Sequence, residues 1–159
     1  MKSAVTMKIE IQSISDVITN SSSEVFLITM DQKYEHLMEK AGDDVRSCFH
    51  EFKTAQDIKK YCENGGDFND LSILDRNHGE AYCDALREYS YKNNYISLSE
   101  IPSDVKSKLW RKTKECMASM IGKAMCIYDD IEDDMLKRKV DLFIDMNEKK
   151  LDMRKGFCG

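Results

Sequence analysis

Met7-Lys8-Ile9-Glu10-Ile11-Gln12 and Val25-Phe26-Leu27-Ile28-Thr29-Met30 are the two runs whose reading decides the fold, and Ser13 to Glu24 joins them. In the first, Met7, Ile9 and Ile11 alternate with Lys8, Glu10 and Gln12, the period of a half-buried strand. The second is continuously apolar and rich in β-branched residues, which suits a strand covered on both faces. The connection is too long for a tight hairpin. It carries Thr19-Asn20-Ser21-Ser22-Ser23, whose side chains hydrogen-bond their own backbone and so end regular structure.

Working outward, the pattern turns helical. Asp31 caps a helix to about Lys40, with Tyr34, Leu37 and Met38 facing inward and Gly42 ending it. Asp43 and Asp44 precede Val45, Cys48, Phe49 and Phe52, apolar positions at helical spacing. Thr54-Ala55-Gln56-Asp57 has the layout of a capping box, with Asp where Glu or Gln is preferred, and its helix closes at Gly65-Gly66. A polar connection follows from Asp67 to Asn77, holding one apolar knot, Leu71-Ser72-Ile73-Leu74. Tyr82, Ala85, Leu86 and Tyr89 mark one face of a helix from about Gly79 to Lys92, which Asn93-Asn94 breaks.

Tyr95-Ile96-Ser97-Leu98 reads as a short extended piece. Pro102 introduces the strongest helix, Ser103 to Ile121, with an apolar stripe of Val105, Leu109, Cys116, Met117, Met120 and Ile121. Ala124-Met125-Cys126-Ile127-Tyr128 reads as a third strand that pairs with the N-terminal ones and brings the helices onto one face of the sheet. Asp129 to Lys150 is helical by Ile131, Met135, Leu142, Phe143 and Met146, with Asp129 or Asp130 as cap. Val140, Leu142 and Ile144 also alternate, which leaves an edge strand over 139–145 open. Arg154 to Gly159 reads as a frayed end. The expectation is one domain over residues 1–159, of α+β class: a small, mainly antiparallel sheet of three to four strands with about five helices packed on it.

The totals exclude more than they assign. With 24 basic and 29 acidic residues the formal charge is −5, so no global positive field draws the chain to phosphate backbones, and nucleic acid is not an expected partner. No apolar run approaches the roughly 18 residues that span a bilayer, so no membrane role is expected. Met1-Lys2-Ser3-Ala4-Val5-Thr6 lacks the apolar core of a signal peptide. The six cysteines (Cys48, Cys62, Cys83, Cys116, Cys126, Cys158) are therefore expected as reduced thiols, and their spacings form neither Cys-x-x-Cys nor a zinc-type cluster.

Catalytic and metal signals are weak. The acidic run Asp129-Asp130-Ile131-Glu132-Asp133-Asp134 lacks the order of a calcium loop, and an acidic helix start explains it. No metal or cofactor is expected. Among His36, His50 and His78, His50 stands two residues from Cys48; on a helix that spacing sends the two side chains to different faces, so the pair is not expected to be catalytic. The ten methionines are simplest as core filler, although adaptable Met-rich surfaces also bind partners. Thr19, Asn20, Ser21, Ser22 and Ser23 are the candidate site. Their hydroxyls and backbone N–H groups suit an anionic ligand or a partner, while a purely structural turn is the simpler reading. They lack the glycines and lysine of a phosphate loop and the flanking glycines of a nucleophile elbow.

Ile18-Thr19-Asn20-Ser21-Ser22-Ser23-Glu24-Val25-Phe26 resembles the start of a group of short proteins that open with a strand, an apolar residue, Thr/Ser-Asn-Ser-Ser-Ser and a second strand. Many of them are carried by bacteriophages, prophages and gut bacteria, and the group has no assigned activity. The likeness covers about the first 30 residues, and Glu24 stands where a further serine is common. It implies a phage-type accessory protein that works in the bacterial cytoplasm or is packaged in a virion, and it transfers no catalytic residue. The leading expectation is a non-enzymatic protein that binds a host or viral protein. The alternatives are a small-ligand or phosphate-binding domain, or an enzyme, using the Asn20–Ser23 loop, and a structural virion subunit.

Overall fold

The structure is a computed structural model that describes residues 23–66, 68 and 81–158. The expected first strand (7–12), Thr19 to Ser22 of the candidate loop, the knot at 71–74 and the start of the helix placed at Gly79 lie outside the described residues. Among the described residues four strands form one sheet: β1 (Ser23–Thr29), β2 (His50–Phe52), β3 (Lys123–Ile127) and β4 (Met153–Cys158). Their order across it is β2-β3-β1-β4, every pair antiparallel. Six α-helices among the described residues pack on it, as the α+β reading requires: α1 (Gln32–Ala41), α2 (Asp43–Arg46), α3 (Ala55–Glu63), α4 (Ala81–Lys92), α5 (Ser103–Thr113) and α6 (Asp134–Asn147).

β1 is central, and Val25, Phe26, Leu27 and Ile28 are all buried. Because successive strand side chains point to opposite faces, Val25 and Leu27 enter one core and Phe26 and Ile28 the other. β3 repeats the division, Met125 and Ile127 against Ala124 and Cys126. The helices accordingly cover both faces, not the single face expected. The first layer is α3, α4, α5 and a 3₁₀ segment (Lys114–Met120), which supply Ile58, Leu86, Met117 and Met120; the second is α1, α2 and α6, which supply Met38, Val45, Val140 and Ile144. The doubly apolar composition of Val25 to Met30 already demanded cover on two sides.

Helix ends follow the local rules. Asp31 accepts the Tyr34 amide at 2.9 Å, and Gly42, at φ +104°, turns the chain out of α1. Thr54 and Asp57 form the reciprocal capping box, Asp57 standing in for the longer carboxylate. The cap of α6 is Asp133, which accepts from the amides of Met135 and Leu136, and not Asp129 or Asp130. Those two belong to a separate 3₁₀ turn, Tyr128–Asp130, that drops Ile131 into the core. Residues 139–145 are helical, which removes the edge-strand alternative.

Four further expectations are corrected. Helical spacing from Val45 to Phe52 does not make a helix: α2 ends at Arg46, and β2 delivers Phe52 to one core while Phe49 stays in the other. One helical face cannot serve two sides of a sheet. The long helix changes to 3₁₀ after Thr113, whose hydroxyl donates to the Leu109 carbonyl at 2.8 Å. At three residues per turn Met117 and Met120 eclipse into the core, leaving Cys116 and Ile121 exposed. Tyr95 to Leu98 forms no strand: Asn94 and Tyr95 stand at positive φ, Ser97 is extended, and Leu98 opens a 3₁₀ turn, Leu98–Glu100. The supposedly frayed end is β4, paired with β1 from Ser23 opposite Cys158 to Ile28 opposite Met153, because a fully buried strand needs a neighbour on each edge.

Candidate functional site

Thr19, Asn20, Ser21 and Ser22 are not among the described residues, and Ser23 opens β1 with its backbone paired to Cys158. The described residues offer two other places.

The first is a cleft beside β2. Cys48 and His50 line it together with Asp130. Since Cys48 lies beyond the end of α2 and His50 begins a strand, the helical reason for separating them does not apply. Electrostatics supply a different one. Burial pushes the Cys48 thiol up, with Asp44 adding to the shift and a hydrogen bond from Ser47 opposing it. Desolvation lowers His50, whose ring packs 4.9 Å from Tyr61, and Asp130 pulls it back only in part. A raised thiol beside a lowered imidazole favours the neutral pair, whereas a cysteine nucleophile needs thiolate and imidazolium. Among the described residues no cluster of three or more His, Cys, Asp or Glu side chains is arranged to hold a metal.

The second place is a groove where α1 and α2 meet α6. Its volume is about 470 Å³, and Leu37, Val45, Leu142, Phe143 and Met146 make its apolar lining. Lys40, Lys139 and Lys150 are the charged residues that line it. Lys139 holds Asp44 at 2.6 Å, each side chain about half exposed. Lys40 and Lys150 have no ion-pair partner among the described residues.

α6 builds the groove by being apolar on two adjoining arcs. Val140, Phe143, Ile144 and Asn147 turn toward the sheet, and the Asn147 amide donates to the Phe143 carbonyl at 2.8 Å. Met135, Leu142 and Met146 fall within about 40° of one another on the helix and face outward, 65%, 60% and 66% exposed. Spacing alone puts Met135, Leu142 and Met146 in the same stripe as Phe143. The missed signal was width: the apolar positions of Met135 to Asn147 span more arc than one contact with a sheet buries. The three lysines carried no linear signal, because they come from two helices and a turn.

The opposite wall is fixed by a polar latch. The Tyr34 hydroxyl donates to Glu51 at 2.6 Å, and Arg46 reaches both Glu51, at 3.0 Å, and Glu35, at 2.8 Å. Burial and the Glu51 carboxylate hold the Tyr34 phenol above its ordinary range. The latch joins α1, α2 and β2, so the groove wall is preorganised before anything binds.

On the other side of the sheet, Cys62 and Cys83 form a disulfide between α3 and α4, both nearly inaccessible. This corrects the expectation of reduced thiols for that pair; Cys48, Cys116 and Cys126 are free. Burial pushes the Cys126 thiol up to about 12. No helix among the described residues is long and apolar enough to cross a membrane. Compared with known proteins, the chain matches no family model, no curated protein and no solved structure.

Proposed function

We propose that this is a non-enzymatic interaction protein, a phage-type accessory factor that binds a host or viral protein in the bacterial cytoplasm. One observation carries the reading: Met135, Leu142 and Met146 stand exposed in line beside a concave apolar groove. A contiguous apolar surface of this kind, rimmed by charge, is characteristic of protein contact, and unbranched methionines adapt to a partner's shape. The serine-rich bend remains a place for an anionic ligand on sequence grounds alone.

The test is a photo-crosslinking residue at position 146, with Lys108 on α5 as the control position. The expected outcome is one host or viral protein, identified by mass spectrometry, joined from position 146, absent from position 108, and lost when Leu142→Ser and Met146→Ser are combined for a second probe at position 135. Equal labelling from both helices, or none at physiological concentration, counts against the reading.

A further inference from the structure

The charge around the groove is more selective than its shape. We propose that the occupant is an amphipathic helical segment of the partner whose apolar stripe is flanked by carboxylates, an inference that rests on the docking role above.

Length comes first. Met135 to Met146 is eleven steps along α6, about 16 Å at 1.5 Å per residue, with Leu142 and Met146 in the groove lining and Met135 continuing their stripe beyond it. A partner helix presenting apolar residues at i, i+4, i+7 and i+11 has the same reach, and helix-in-groove recognition uses such anchors. The latch through Tyr34, Glu51 and Arg46 holds α1 and α2 in place, so a rigid helix meets a rigid trough.

Charge decides the class. Three lysines line the groove, and no Asp or Glu is among its described lining residues. That local excess runs against a chain whose formal charge is −5. Lys40 and Lys150 are uncommitted among the described residues. Lys139 can exchange the exposed Asp44 for a partner's carboxylate at little cost, since solvent screens an exposed pair. A basic-flanked helix would meet like charge on each side, and a second copy seated by a twofold would bring the lysine rims together.

The experiment uses three labelled 14-residue helical peptides with one Leu/Met stripe, flanked by Glu, Gln or Lys, and measures anisotropy against the full chain. The Glu peptide is expected to bind about tenfold tighter than the Lys peptide at low salt, with the gap shrinking in 0.5 M salt, roughly a 4 Å screening length. Combining Lys40→Glu with Lys150→Glu reverses the order. Combining Leu142→Ser with Met146→Ser abolishes binding of all three, and circular dichroism checks that both variants fold. Equal binding of the three peptides, lost only in the Leu142/Met146 variant, overturns the acidic-flank inference and leaves the docking role standing. Self-association that the same variant dissolves assigns the groove to a second copy and overturns the inference. Absence of any peptide binding overturns it too, and the crosslink from position 146 then decides separately whether docking survives.

Discussion

The two helical layers bury similar sets of residues from the same strands, yet they are closed by different means. The α3–α5 layer is sealed covalently by Cys62–Cys83 and by an aromatic cluster in which the Phe52 ring lies 5.4 Å from Tyr61 and 5.5 Å from Phe68. The α1/α2/α6 layer has no bridge among the described residues. Polar latches hold it, Tyr34 on Glu51 and Tyr128 on Asp141, and its outer helix still shows apolar side chains to solvent. The α3–α5 side also leaves Tyr91, Tyr95 and Ile121 to solvent, but on α6 the exposed Leu142 and Met146 line a groove and Met135 continues their stripe. The sheet thus stands between the disulfide-sealed side and the groove.

The largest expected effect tests the sealed side. Phe52→Ala should cost about 4 kcal/mol, because an aromatic cluster closes imperfectly around a missing ring. Phe143→Ala, in the groove wall, should cost nearer 3 kcal/mol, since a site open to solvent relaxes more easily. Urea unfolding of the two variants measures the difference, and a larger loss for Phe143→Ala would reverse the assignment of layers.

Next comes the covalent staple. Cys62 and Cys83 are 21 residues apart, and closing a loop of that length contributes about 3 kcal/mol in the chain-entropy account. Cys62→Ala with Cys83→Ala should lower the melting temperature by about 10 °C. Reductant should do the same to the parent protein and nothing to the variant. Equal melting of oxidised and reduced protein would show that packing alone seals the layer. Thiol counting on protein taken directly from cells would also bear on the proposed cytoplasmic setting, where glutathione keeps most thiols reduced.

The smallest effect sharpens the contrast in polar closure. Tyr34, Tyr128 and Tyr82 each donate to a carboxylate, and burial together with that carboxylate holds each phenol above its ordinary value. A folded-state pKa above the unfolded one near 10 means the contribution is whole below pH 10 and is lost as pH climbs from there toward the folded value. Two of these three phenols serve the α1/α2/α6 layer. Tyr34→Phe should cost about 1 kcal/mol at pH 7. Tyr34→Phe combined with Tyr128→Phe should flatten the stability loss between pH 10 and 11 more than Tyr82→Phe does. The opposite ranking would mean that the sealed layer depends on its polar contact as much as the latched one.

Much of this molecule is legible residue by residue where one local cause suffices. Asp31 and Gly42 bound α1, Thr54 and Asp57 open α3, and the apolar run of β1 announces a strand with two covered faces. The Val45–Phe52 stretch misleads because its apolar residues serve two cores, which spacing alone cannot divide. The end from Met153 to Cys158 misleads because its reason for being a strand is the unpaired edge of β1, more than 120 residues earlier. The groove was legible only as excess: α6 carries more apolar arc than a single contact needs, but which part stays outside depends on what packs beside it.

By itself the sequence determined the class, the caps of α1 and α3, the central strand and the absence of a positively charged global field, since each follows from neighbours within a turn or from totals. Tertiary structure alone decided that helices cover both faces, that Cys62 meets Cys83, that Lys40, Lys139 and Lys150 converge, and that Met135, Leu142 and Met146 remain uncovered. Those outcomes depend on distances between residues far apart in the chain, and such distances are set by how sheet and helices share a limited interior.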